Sequence, residues 1–125
     1  MRTFINTIFA GTLIFACMSV SAQVNLPVDK FVKTYQETAD AQLLDVRTAA
    51  EWEKGKVAAA TCVDFMNKDF KRNVSKLDKS KPVFVYCAAG GRSAKAAKML
   101  QEAGFKQVFN LTGGGYTQLR DSGLK

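Results

Sequence analysis

Hydrophobic and polar positions along the chain fall into short apolar runs separated by amphipathic stretches. Five runs are spaced and composed as β-strands: Gln23–Leu26, Gln42–Val46, Thr61–Phe65, Val83–Tyr86 and Gln107–Leu111. Between them lie stretches that predict helices near Asp29–Glu37, Ala49–Lys54, Lys68–Leu77 and Ser93–Ala103, with a last short helix over Tyr116–Asp121. Val83-Phe84-Val85-Tyr86 is continuously apolar and β-prone, the pattern of a central strand covered on both faces. In the helix that follows, Ala96, Met99, Leu100 and Ala103 recur at i, i+3, i+4 and i+7, Lys95, Lys98 and Glu102 fall outside that stripe, and Gly104 supplies the stop. Strand and helix alternating in this rhythm predict an α/β fold: a mostly parallel sheet of about five strands with helices on both faces.

The first 22 residues are patterned differently. Arg2 gives a positive start, Phe4–Ala16 is uncharged and mostly apolar, and Val20-Ser21-Ala22 places small residues where a signal peptidase reads them. The expected organisation is a signal peptide over residues 1–22 and one domain over residues 23–125, exported to the periplasm. The alternative is a lipobox at Ile14-Phe15-Ala16-Cys17, with Cys17 lipidated and the domain tethered to a membrane; Phe15 fits that pattern poorly.

Composition narrows the chemistry. The 125 residues contain three cysteines and no histidine, which excludes a Ser-His-Asp triad, a Cys-His pair and a histidine-based zinc site. No metal and no cofactor is called for. Residues 23–125 carry 17 Lys and Arg against 11 Asp and Glu, a formal charge of +6, but the lysines are scattered without the interleaved aromatics of a nucleic-acid surface. The expected partners are therefore small anions drawn by the overall field, acting on a monomer.

In parallel α/β sheets ligands bind at the carboxyl ends of strands, so the segment after Tyr86 matters most. It reads Cys87-Ala88-Ala89-Gly90-Gly91-Arg92-Ser93. Small residues at a helix start let successive N–H groups turn inward as an anion nest, the helix N-terminus adds partial positive charge, and Arg92 offers further donors. A thiol in that ring ionises readily, which makes Cys87 the candidate nucleophile and Ala88–Ser93 its binding loop. Asp45 and Arg47, at the end of another strand, have two readings: positioning an anionic donor, or pairing with each other or with Glu51 to cap the next helix. Cys62 likewise reads as a small buried residue or, in an oxidising compartment, as a partner that resolves Cys87 through a disulfide.

These elements together resemble the single-domain rhodaneses. Leu43-Leu44-Asp45-Val46-Arg47 followed by Glu51-Trp52 is similar to the family's strand-to-helix element, and Gly55-Lys56-Val57 stands where the family commonly has Gly-His-Ile. Tyr86-Cys87 with Gly90, Arg92 and Ser93 resembles its active-site loop, and Leu111 with Gly113-Gly114 its closing strand and turn. The resemblance implies a three-layer sandwich and sulfurtransferase activity. Cys87 would take a sulfane sulfur from thiosulfate, polysulfide or a related donor and pass it, as a persulfide, to a protein or small-molecule thiol or another thiophile. Under that implication Arg92 either binds the donor or braces the loop. Cysteine phosphatases place arginine six residues after the nucleophile; here it is five, and position six is Ser93.

Overall fold

The computed structural model describes residues 22–124 and Ile14. The expected leader thus lies outside the described residues except for Ile14 and Ala22, as does Cys17, and Ala22 opens the first strand. In chain order the elements are β1 (Ala22–Pro27), α1 (Val28–Glu37), β2 (Gln42–Asp45), α2 (Ala49–Glu53), β3 (Thr61–Cys62), α3 (Phe70–Val74), β4 (Val83–Tyr86), α4 (Gly91–Glu102), β5 (Gln107–Thr112) and α5 (Tyr116–Asp121). The sheet order is β1-β5-β4-β2-β3 and every pairing is parallel.

Period-two alternation along β4 divides the core between the two faces of the sheet. Val83 and Val85 join Leu44, Val74, Ala96, Ala97 and Leu100 on the face covered by α3 and α4. Phe84 and Tyr86 join Phe31, Leu111 and Leu119 on the face covered by α1 and α5. Phe84 is stacked on Phe109 and meets Phe31 edge to face. With all four of its residues buried, β4 is the central strand that its unbroken apolar run predicts.

Two elements are shorter than their patterns suggest. The Thr61–Phe65 run is regular strand only at Thr61 and Cys62, although the Val63 and Phe65 amides still donate to the Asp45 and Val46 carbonyls (2.9 and 3.2 Å); beyond them the Asp64 carboxylate accepts the Met66 amide (2.8 Å) and turns the chain. The Lys68–Leu77 stretch is helical only over Phe70–Val74; the Asn67 side chain accepts the Asp69 amide (2.8 Å) and delays its start. In contrast, α4 begins two residues earlier than expected, at Gly91, and buries Ser93, Ala96, Ala97 and Leu100 while Ala103 is exposed. That earlier start puts Arg92 and Ser93 in the first helical turn.

Candidate active site

Cys87 follows the last residue of β4, and α4 begins four residues later, so strand end and helix N-terminus converge on its sulfur. The connection closes through Gly90, whose φ of +100° is costly for any residue with a Cβ and aims its N–H at the thiol. That N–H donates to Sγ at 3.0 Å. The thiol faces the Ser93 hydroxyl at 3.5 Å, and that hydroxyl donates to the Gly90 carbonyl at 3.2 Å. When the sulfur ionises, the same hydroxyl can rotate and donate to it.

Cys87 is 1% exposed. Burial alone would raise its pKa, but hydrogen bonds from the Ser93 hydroxyl and from the Ser93, Ala89 and Gly90 amides outweigh burial and leave it below that of an ordinary thiol. Cys62 is the internal contrast: burial, reinforced by the Asp45 carboxylate, pushes its thiol up. Alkylation by iodoacetamide should therefore rise with pH for Cys87 through a midpoint below the value of about 8.5 for a free thiol, and for Cys62 through one above it. Site-resolved labelling at a series of pH values measures both; coincident midpoints would remove the special character of Cys87.

The back of the loop is fixed by α5. The Cys87 carbonyl accepts the Tyr116 amide (2.9 Å), and a Cβ on Gly115 would overlap the carbonyls of Ala88 and Cys87. Gly115 is thus a site residue that the sequence reading passed over: its missing side chain lets α5 pack against the nucleophile's own backbone.

Both arginines are engaged. Arg92 binds Glu51 in a two-pronged pair, Nη1 to Oε1 at 2.6 Å and Nη2 to Oε2 at 3.0 Å. Glu51 also accepts the Thr48 hydroxyl (3.1 Å) in a capping box at the head of α2, and the Arg92 guanidinium holds its carboxyl down at about 2. Arg92 thus ties the loop to a carboxylate from α2.

Arg47, 4% exposed, binds Asp45 through Nε (3.0 Å) and Nη2 (2.8 Å), donates to the Gly55 carbonyl (2.8 Å) and stacks over the Tyr116 ring at 4.1 Å. Asp45 is fully buried and also accepts the Tyr86 hydroxyl at 2.8 Å. Of the two readings of Arg47, the structure carries the pairing with Asp45: Nε and Nη2 are committed to the Asp45 carboxylate and the Gly55 carbonyl.

The disulfide reading of Cys62 is overturned by topology. Strand β2 lies between β3 and β4, with Asp45 paired to Cys62 on one side and to Tyr86 on the other. Two strand spacings, roughly 9.5 Å, separate the two strands, beyond the reach of about 7 Å that a disulfide allows. The side chain of Cys62 also lies on the Asp45 and Tyr86 face, whereas Cys87 belongs to the opposite core.

Comparison with known proteins agrees with this geometry. The family model of the rhodanese-like domain matches residues 29–118. The chain is 36% identical over 96 residues to thiosulfate sulfurtransferase 16 of Arabidopsis thaliana, covering 69% of this chain and 79% of that protein. It is also 36% identical over 85 residues to the tRNA uridine(34) hydroxylase of Cytophaga hutchinsonii, which covers 66% of this chain but only 27% of that longer protein. Among solved structures, a rhodanese-like domain protein from Staphylococcus aureus superimposes with a TM-score of 0.63 at 26% identity, covering 73% of this chain and 86% of that one. With its parallel sheet, its cysteine at the mouth of β4 and the family match spanning both, the chain belongs to the rhodanese-like domain family.

Proposed function

We propose that the protein is a thiosulfate or polysulfide sulfurtransferase that carries sulfane sulfur on Cys87. The observation that carries this reading is the seat of Sγ: a thiol with a depressed pKa, met by the Gly90 amide at 3.0 Å, at the N-terminus of a 12-residue helix. The Cys87 thiolate attacks the outer sulfur of thiosulfate; a sulfur–sulfur bond forms to Sγ, the bond to the sulfonate sulfur breaks, and sulfite leaves with its electron pair. The negative charge ends on the new terminal sulfur, where amides of the Ala88–Arg92 segment can stabilise it without reorganising. A thiophilic acceptor such as cyanide or a thiolate then attacks that sulfur and Cys87 departs as the thiolate. Thiosulfate turnover by the Arabidopsis relative, as its name states, supports the choice of donor.

Two rival readings lose support on particular observations. A cysteine phosphatase needs its arginine free to wrap an oxyanion, and Arg92 is already paired with Glu51. A thiol-redox protein built on Cys62 and Cys87 would need them within bridging distance, and β2 intervenes. We further propose export on the strength of the leader pattern in residues 1–22. Mixing the protein with thiosulfate and no acceptor should release one equivalent of sulfite per Cys87 in a burst and then stop. Absence of that burst from correctly folded protein would overturn the reading.

A further inference from the structure

We propose that Glu51 is a specificity-determining residue that selects donors by charge, favouring sulfane donors of low charge over the thiosulfate dianion. This inference rests on the sulfur-transfer reading and ranks donors within it. The loop Ala88-Ala89-Gly90-Gly91 brings no charged side chain to the sulfur, which leaves Arg92 as the loop's one cation. Glu51 occupies both prongs of that cation, at 2.6 and 3.0 Å. Glu51 is itself held in place by the Thr48 hydroxyl, so the pair is a fixed part of the architecture of α2 and not a chance meeting of surface side chains. Asp64, just beyond the end of β3, adds a second carboxylate within Coulombic reach of Arg92.

The charged groups that act on the loop's arginine thus include two carboxylates, Glu51 in direct contact and Asp64 at longer range, on a domain whose overall charge is +6. The overall field draws anions toward the surface, whereas the charges nearest the sulfur decide which anion stays. Backbone amides and the helix N-terminus supply about half a positive charge, enough for a singly charged sulfane group and short of what a dianion requires. A donor such as an organic persulfide or thiosulfonate, with one negative charge beside its transferable sulfur, matches that site.

Thiosulfate and benzenethiosulfonate test this directly, because both deliver an outer sulfur from an S–SO2 centre and differ by one charge. Their leaving groups are sulfite and benzenesulfinate, so the transferred sulfur and the electron balance are the same. Glu51→Gln should lower KM for thiosulfate about three- to fivefold more than KM for benzenethiosulfonate, the effect of removing one partly screened charge on one extra unit of substrate charge. Asp64→Asn, which keeps the acceptor for the Met66 amide, should shift the ratio in the same direction by less. A loss of loop geometry alone would depress both donors alike and leave the ratio unchanged; an unchanged ratio in both variants, or a rise in KM for thiosulfate selectively, overturns the proposal. Failure of the wild-type protein to accept sulfur from either donor would instead sink the transfer reading itself, and the inference with it.

Discussion

Cys87→Ser should abolish sulfur transfer, lowering thiosulfate turnover by more than about a thousandfold to the uncatalysed background, because removing a covalent nucleophile removes the whole two-step path. The serine hydroxyl can still accept the Gly90 amide that Sγ accepts now and can still meet the Ser93 hydroxyl. Its cost in stability should therefore be small, about 1 kcal/mol or less. Steady-state turnover and a thermal melt separate the two effects. A variant that melts like the wild type and still turns over thiosulfate would place the chemistry elsewhere.

Asp45→Ala should produce the largest loss of stability. Asp45 is fully buried and receives the Arg47 guanidinium, the Arg47 amide (3.0 Å) and the Tyr86 hydroxyl (2.8 Å). Alanine would strand a guanidinium that is 4% exposed, at a cost of about 3–5 kcal/mol. For a domain of this size that corresponds to a fall in Tm of more than about 10 °C. The Asp45→Ala, Arg47→Met double variant should regain part of the loss, since it removes the stranded charge. If the single variant melts within about 2 °C of the wild type, the network is not what ties β2 to β4.

Much of this site was legible in the sequence because it is local. Cys87 through Ser93 is one continuous segment, and a β-prone run followed by small residues and an amphipathic helix announces a strand end facing a helix N-terminus whatever surrounds it. The central position of β4 was equally visible, since an unbroken apolar run has to be covered on both faces. What the sequence hid was pairing across distance. Glu51 and Arg92 are 41 residues apart and so are Asp45 and Tyr86; their contacts depend on β2 lying beside β4, an adjacency that no periodicity encodes.

Thr48 with Glu51 did carry a signal, the capping-box spacing, which fixes the carboxylate at the head of α2 but not what it faces. The position of Cys62 failed for the same reason as the distant pairs: strand order, rather than strand content, decides whether two cysteines can meet. Gly115 was unreadable because the demand on it comes from the carbonyls of another loop.

The central claim, that Cys87 carries the sulfur, is tested most directly by peptide mass spectrometry of protein treated with thiosulfate and freed of excess donor. The peptide containing Cys87 should gain the mass of one sulfur atom and lose it on addition of cyanide, while the peptide containing Cys62 stays unchanged. An unmodified Cys87 peptide from folded protein, or the added sulfur found on Cys62, would contradict the account.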